Sequence, residues 1–356
     1  MTRSLELLTN NLSVEPRREA LVYKFAAPQQ RQRLLHSLEL ISDALRPKVP
    51  EWEFREVREL VRADVEQRKA NTEARVEDLI YATAYRGVGL GRSPLCPEYN
   101  IDNIYPEQLR EYIVNNVTGS NIKVVGNIRD TGLFVGYVVQ AFAAFTRDGP
   151  AGPRAKESSQ YFGGNHFTVE SAPNVYAEAY NGVAPSITKE FAAQNLLKVL
   201  LGAASGGFAL PGSGVSSRLG RAFNGSDIEK AYTFSNEHSS SSLFGVVAYG
   251  GASVKELGET VHSQLAALAS SPVSQQELDK AVAQFLTKYR LRDDCRLSAL
   301  DKFAITARDY NPDNILSLLK SVTPQDIQSV AQSIITSTPT VVALGNLSSL
   351  PTFKPF

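Results

Sequence analysis

Histidines are the side chains of this chain best suited to metal chemistry. Two histidines one helical turn apart, with a glutamate between them, can hold a zinc ion and activate its bound water. The chain has only four histidines, and no two stand within one helical turn: His36, His166, His238 and His262. Because a catalytic zinc needs three protein ligands and an open position, the sequence predicts no metal, no cofactor and no catalytic residue.

Two of the histidines stand in similar surroundings, since His36-Ser37 and His262-Ser263 each lie within an amphipathic pattern of helical spacing. One interpretation is a paired site formed by two related halves. We prefer the other, a packing or surface residue inherited from one ancestral helix. Asp64, in LVRADVEQ, is a lone carboxylate on a charged helix, and such a residue is usually solvated.

A glycine-rich segment, residues 202–214 with the sequence GAASGGFALPGSG, is the second candidate site. It lacks the G-x-x-x-x-G-K-[ST] pattern, and no G-x-G-x-x-G follows a predicted strand, so it does not resemble a phosphate cradle. The chain also contains no G-x-S-x-G nucleophile turn, and Ser239 to Ser242 are predicted as the polar tip of a hairpin.

Composition excludes several classes of function. Lysine plus arginine and aspartate plus glutamate both number 37, which gives no charge excess for nucleic acid or an acidic membrane. The two cysteines, Cys96 and Cys295, lie far apart, so we expect neither a disulfide scaffold nor a cysteine zinc site. The longest apolar run, residues 133–145, is too short to span a bilayer and predicts a buried helix.

Helices and strands alternate along the chain. In the first half, periodicity and Pro106 predict helices at 34–45, 51–68, 73–85 and from 106, followed by a strand at 122–125. The second half is predicted to contain strands at 165–170, 175–183 and 341–344, and helices at 188–201, 254–268, 275–290, 297–308 and from 324.

The two halves share sequence as well as periodicity. YPEQLREYIVNNV resembles TPQDIQSVAQSII, and NIKVVGNI resembles TVVALGNL, so that Gly126-Asn127 corresponds to Gly345-Asn346. Periodicity alone would be common to any two α+β domains. The repeated Gly-Asn at nearly the same distance from a helix-opening proline exceeds that expectation, and we interpret the chain as a duplication.

This repeat predicts an α+β fold of two tandem homologous domains, each a mixed sheet covered by helices. We expect a first domain at 1–146, a linker rich in proline and glycine at 147–163, and a second domain at 164–356. Residues 165–226 have no counterpart in the first half, so the first domain is expected to lack its first strands and first helix. The acidic residues near the start, Glu6 among them, argue against a matrix-targeting leader.

Several segments together resemble the M16 (pitrilysin-type) peptidases. They are the block LIYATAYRGVGLGRSPLCPEYNIDNIYPEQLREYIVNNVTGSNIKVVGNI, SSRL at 216–219, SSSSLFGVV, and the ending ALGNLSSLPTF. That family includes the mitochondrial processing peptidases and the core proteins of ubiquinol–cytochrome c reductase, and the last two segments are most similar to the core-protein-two branch. The resemblance covers essentially the whole chain.

The resemblance implies a non-catalytic structural subunit. Active members hold zinc with His-x-x-Glu-His on the first helix and a more distal glutamate; Asp64 falls near that distal position, and the first helix lies in the part without counterpart. The implied role is a core subunit of respiratory complex III on the matrix side of the mitochondrial inner membrane. Its implied partners are a core-one homologue, cytochrome b and cytochrome c1.

Two alternatives remain open at the level of sequence. One is the noncatalytic alpha-like subunit of a mitochondrial processing metallopeptidase, or a degraded enzyme of that type. In processing peptidases a glycine-rich loop at this place contacts the presequence, so the other alternative is a free-standing peptide-binding module. Both would use the glycine-rich segment, which we otherwise interpret as a flexible connector: Gly202, Gly206, Gly207, Phe208, Gly212 and Gly214.

Overall fold

The computed structural model describes most of the chain, namely residues 11–26, 31–150, 159–171, 173–186, 188–205, 217–239, 241–294, 300 and 312–348. None of the helices in these ranges is both long and apolar enough to cross a membrane. Contacts within the chain define two compact units. Unit 1 comprises Met1–Thr72, Ser93–Glu157 and Arg292–Arg308, and unit 2 comprises Glu73–Arg92, Ser158–Leu291 and Asp309–Phe356.

The described elements are eight strands and eleven helices of the α type. The strands are β1 Asn11–Pro16, β2 Leu21–Ala26, β3 Gly164–Val169, β4 Asn174–Gly182, β5 Ala203–Ser205, β6 Ile228–Glu237, β7 Ser242–Gly250 and β8 Thr340–Gly345. The helices are α1 Arg31–Ala44, α2 Glu51–Ala70, α3 Thr72–Ala84, α4 Pro106–Asn116, α5 Thr131–Ala141, α6 Lys189–Leu201, α7 Arg218–Ala222, α8 Val254–Ser270, α9 Gln275–Asp294, α10 Pro312–Leu319 and α11 Pro324–Thr336. The predicted helix at 297–308 lies outside the described residues except for residue 300.

The described part of unit 1 contains one hairpin and four α-helices. β1 pairs antiparallel with β2, and the helices are α1, α2, α4 and α5. Helix α2 starts directly after Pro50 and has acidic residues in its first turn and basic residues in its last, which suits the helix dipole. Helix α4 starts at Pro106, and the Tyr105 amide donates to Gln108 Oε1 at 2.9 Å.

Two predictions for unit 1 are wrong. Residues 122–125 do not form a strand. The corresponding strand of the second half, β8, pairs with β3 and β4, and these two strands have no counterpart in the described part of unit 1. The apolar run at 133–145 does form a helix, α5, but its side chains Val135 and Val139 are 53% and 65% exposed, so this helix is not buried.

Unit 2 contains a six-stranded mixed sheet in the order β3-β8-β4-β7-β6-β5. β3 and β8 are parallel, and every other neighbouring pair is antiparallel. The strands predicted at 165–170, 175–183 and 341–344 are confirmed as β3, β4 and β8 to within a residue or two. Ser239 and Ser241 lie in the connection between β6 and β7, as predicted for the polar tip at Ser239–Ser242, but Ser242 itself begins β7 and is buried.

Both faces of this sheet are covered, because successive side chains of a strand point to opposite faces. On one face, Tyr176 and Tyr180 of β4 belong to the large buried cluster formed with α6, α8 and α11. On the other face, Val175, Ala177 and Ala179 pack against α3. The predicted fold class, α+β with a mixed sheet covered by helices, is confirmed.

Helix α3 comes from the first half of the sequence but belongs to unit 2. Its residues Val76, Ile80, Tyr81 and Ala84 are buried against the side chains of β4, β7 and β8. Sequence periodicity identifies the buried face of α3 but not the sheet that it covers. The contact-defined units therefore differ from the sequence-predicted domains at 73–92, and the boundaries at 146 and 163 stay a prediction.

Candidate functional site

The structure places three of the four histidines on three different elements and the fourth in a connection between strands. His36 lies on α1 beside Glu39, with 61% of its side chain exposed. His166 of β3 contacts the Thr168 hydroxyl at 3.0 Å, and His238, just after β6, contacts the Tyr81 hydroxyl at 2.8 Å. Within the described part of the chain, no three histidine, cysteine, aspartate or glutamate side chains are grouped so that they could hold a metal ion.

The fourth histidine takes part in a buried polar cluster. His262 Nδ1, on α8, lies 3.0 Å from Glu178 Oε1 on β4. The Tyr176 hydroxyl donates to Glu178 Oε2 at 3.2 Å, and the Tyr180 hydroxyl donates to Glu178 Oε1. We call these four residues the Glu178 cluster. Three donors therefore converge on one carboxylate, which satisfies a charge that would otherwise be costly to bury.

Electrostatics in the Glu178 cluster favour a charged imidazole. The hydrogen bond to Glu178 raises the pKa of His262, against the opposing effect of partial burial. Burial raises the pKa of Tyr176 and of Tyr180, and the neighbouring carboxylate adds to that shift, so both hydroxyls stay protonated donors. The arrangement can bind α8 to β4 and take up a proton, but one imidazole and one carboxylate do not make a zinc site.

The role of Glu178 was missed in the sequence, although a signal was present. In the segment VYAEAYNG, Tyr176, Glu178 and Tyr180 recur at period two within a buried strand. A carboxylate in that register must face the same buried layer as the two tyrosines and so requires a partner. The preferred interpretation of His262 as a packing residue agrees with its place on α8. The paired site with His36 stays a prediction.

The remaining candidate ligand, Asp64, is on α2 and is exposed. That position agrees with its interpretation as a surface carboxylate.

The described ends of the glycine-rich segment are firmly attached to unit 2. Gly202 has φ of 70°, and a Cβ atom there would lie 2.3 Å from Ser217 Cβ, so a glycine is required at this position. β5 follows at once and pairs with β6. The five other residues considered for peptide contact, Gly206, Gly207, Phe208, Gly212 and Gly214, lie outside the described residues.

The SSRL sequence anchors the far end of the segment. The Ser217 hydroxyl accepts from the Gly220 amide at 3.1 Å, capping α7, and donates to the Ala203 carbonyl at 2.9 Å. Arg218 binds Glu277 of α9 through two hydrogen bonds of 2.9 and 3.0 Å. Leu219 is fully buried. The motif thus holds both ends of the segment at one place on unit 2.

Comparison with known families identifies the class of protein. Residues 1–98 match the model for insulinase (peptidase family M16), and residues 103–285, just over half of the chain, match the model for the peptidase M16 inactive domain. The chain belongs to the peptidase M16 family, which confirms the resemblance found in the sequence. The second of these models describes an inactive peptidase domain.

Individual relatives fall into two functional groups. The mitochondrial-processing peptidase subunit alpha-2 of Dictyostelium discoideum is 28% identical over 99% of this chain and 82% of that protein. The human cytochrome b-c1 complex subunit 2, mitochondrial, is 24% identical over 99% of this chain and 77% of that protein. A chain in the structure of complex III2 from Candida albicans with Inz-5 bound shares the fold, with a TM-score of 0.80, 13% identity and coverage of 96% and 83%.

Proposed function

We propose that this chain is a non-catalytic structural core subunit of mitochondrial respiratory complex III, ubiquinol–cytochrome c reductase. In this role it supports the assembly and stability of the complex that transfers electrons from ubiquinol to cytochrome c. Its partners are a core-one homologue, cytochrome b and cytochrome c1. It lies on the matrix side of the inner membrane and is attached there through these partners.

The observation that carries this proposal is the use of the histidines. In unit 2, His238 and His262 contact Tyr81 of α3 and Glu178 of β4, whereas His166 contacts Thr168 of its own strand, β3. These histidines therefore have three different partners instead of converging on one point, as zinc ligands must. The similarity to cytochrome b-c1 complex subunit 2 along 99% of the chain supports the particular assembly.

A scaffold also needs rigid surfaces, and the sheet of unit 2 meets this need. Strands β7 and β8 are buried along their whole length, with helices on both faces of the sheet. A permanent subunit interface typically buries more than about 2,000 Å² and is apolar. Unit 1 offers exposed apolar side chains for such contacts, including Trp52 and Leu60 on α2 and Val139 on α5.

A native gel of mitochondrial membranes tests the assembly. An antibody to this chain should detect a band that also reacts for cytochrome b. Migration of the chain in a smaller species without cytochrome b would contradict the proposal, and so would one equivalent of zinc in the purified chain.

The alternative function is the noncatalytic alpha-like subunit of a mitochondrial processing peptidase. Its support is the 28% identity to the alpha-2 subunit and the firm anchoring of the glycine-rich segment at Gly202 and Ser217. Photo-crosslinking to a synthetic presequence peptide separates the two. Labelling confined to residues 202–214 would favour the peptidase subunit, whereas labelling elsewhere or none would leave the scaffold and remove any peptide-binding role for this segment.

A further inference from the structure

The Glu178 cluster joins two elements of unit 2 through one partly exposed side chain. Helix α8 packs on β4 through Val254, Leu257, Val261 and other buried apolar residues. Within this contact the Glu178 side chain is only 3% exposed, while that of His262 is 35% exposed. The imidazole can therefore exchange protons with solvent, whereas the carboxylate cannot recover its hydration without movement of the helix.

We propose that the His262–Glu178 pair is a protonation-dependent lock, which holds α8 on β4 when His262 is charged and loosens the middle of the helix when His262 is neutral. The difference arises because an imidazolium compensates the buried charge of Glu178, whereas a neutral imidazole supplies at most a hydrogen bond. Removing the compensating charge leaves a carboxylate in a place that disfavours it.

The direction of the pH effect follows from the raised pKa of His262. Its ordinary value, that of the unfolded chain, is about 6.5. A group whose pKa is higher in the folded state stabilises that state. The stabilisation is complete when the pH is below the pKa of the group in the unfolded chain, and it is lost as the pH rises through the pKa of the group in the folded chain. The lock is therefore closed below about pH 6.5 and opens on the alkaline side.

The tyrosines of β4 do not open the lock in the same range. Burial raises the pKa of Tyr176 and of Tyr180, and it raises that of Tyr161 next to β4 as well. All three hydroxyls consequently remain protonated while His262 titrates. On the opposite side of the pair, strand β8 carries no titratable side chain.

Charged groups on the neighbouring helices have partners of their own. On α8, one turn before His262, Glu259 lies 3.8 Å from Lys255. The acidic group of α11 is Asp326, which pairs with Lys189 at 2.6 Å and with Thr323. The charged groups of α7 pair with Glu277 of α9: Arg218 and Arg221. Among the residues that the structure describes, Glu178 is the charged group in contact with His262.

Proton NMR of the four imidazoles tests the geometry directly. His262→Gln assigns the His262 resonance, which should titrate above pH 6.5, the ordinary value. In Glu178→Gln the same resonance should return toward that value. Titration of His262 at or below the ordinary value in the native chain would overturn the lock, whether or not Glu178→Gln folds.

Thermal unfolding across pH tests the consequence. His262→Gln keeps a hydrogen-bond donor but does not titrate, so its Tm should lie below the native Tm by about 2–4 °C at low pH. The gap should close as the pH rises above the folded pKa of His262. Over the same interval the protection factors of the α8 amides, which already account for base-catalysed exchange, should fall in the native chain only. The matched variant His36→Gln should show no pH-dependent gap. A constant gap for His262→Gln, or an equal change for His36→Gln, would contradict the proposal.

Discussion

Two segments that share a sequence pattern have different structures. Residues 341–346 are an apolar run followed by Gly-Asn, and residues 122–127 have the same pattern except for Lys123. Residues 341–345 belong to β8, pair with β3 and β4, and are all buried. The second is not in a strand, and its side chains are half-buried or exposed. The pattern encodes the tendency to form a strand, and the neighbouring strands decide whether it forms.

The two hairpins show the same dependence on neighbours. β6–β7 is flanked by β5 and β4, and all nine residues of β7 are buried. β1–β2 stands as a two-stranded sheet, and the described residues of β2 are half-buried or exposed. A two-stranded hairpin by itself is marginally stable in water. We therefore expect substitutions in unit 2 to have larger effects than matched substitutions in unit 1.

The largest difference is expected between Leu344→Ala and Val125→Ala, which occupy equivalent positions of the repeat. Leu344 is fully buried between the layers of unit 2, so its truncation should lower the free energy of unfolding by about 2–5 kcal/mol. Val125 is only half-buried and does not lie in a strand, so its truncation should lower the free energy of unfolding by well under about 1.5 kcal/mol. Urea unfolding of both variants measures this, and equal losses would show that the two segments are equally packed.

The next comparison uses the two Gly-Asn pairs. Gly345 has φ of 119°, and a Cβ atom there would lie 2.2 Å from Asn174 Oδ1, which accepts from the Asn346 amide. Gly345→Ala should therefore lower the free energy of unfolding by about 1–3 kcal/mol. At Gly126 a Cβ atom would meet the tip of the Phe134 ring at 2.6 Å, and that side chain can move aside. Differential scanning calorimetry should show a smaller loss for Gly126→Ala; the reverse order would contradict this account of the two turns.

Ion pairs provide a smaller contrast. Hydrogen bonds from Arg218 lower the pKa of Glu277 in the folded chain. The pair therefore stabilises the fold at a pH above about 4.3, the ordinary pKa of a glutamate, and this stabilisation is lost as the pH falls through the lower pKa of the folded chain. Because the pair is partly exposed, we expect Glu277→Gln to lower the free energy of unfolding by about 0.5–1 kcal/mol at pH 7 and by less at pH 3. The matched exposed pair of unit 1, Arg62 with Asp102, should show no measurable change in Asp102→Asn. Denaturant unfolding at the two pH values distinguishes them, and a pH-independent loss for Glu277→Gln would be inconsistent with the ion pair.

The smallest effect is expected for Asp64→Ala. This carboxylate is exposed on α2, so its removal should change neither stability nor metal content. Atomic absorption of the native and substituted chains measures the metal. A zinc content that falls on substitution would show that Asp64 is a ligand and would favour the peptidase alternative.

Helices were predicted well from sequence because their signals are local. The spacing of apolar residues and the opening prolines placed α2, α4, α8 and α11 within a few residues of their observed bounds. Strands depend on residues distant in sequence. Both strands of the β1–β2 hairpin and the strands β5, β6 and β7 were missed, and 122–125 was wrongly predicted as a strand.

The packing of α3 and the Glu178 cluster show why tertiary features were harder to predict. The repeat favoured placing α3 with the first half, but its apolar face covers the sheet of unit 2. The His262–Glu178 contact joins residues separated by 84 positions, and neither residue lies in a motif. Period-two spacing could have shown which face of β4 carries Glu178, but its partner depends on how α8 crosses β4.

The most direct test of the proposed function is the activity that purifies with this chain. A tagged copy should be isolated from mild-detergent extracts of its own mitochondria and assayed for ubiquinol–cytochrome c reductase and for zinc-dependent presequence cleavage. The scaffold role predicts that reductase activity elutes with the chain in proportion to its amount. Presequence cleavage that elutes with the chain, without reductase activity, would contradict it.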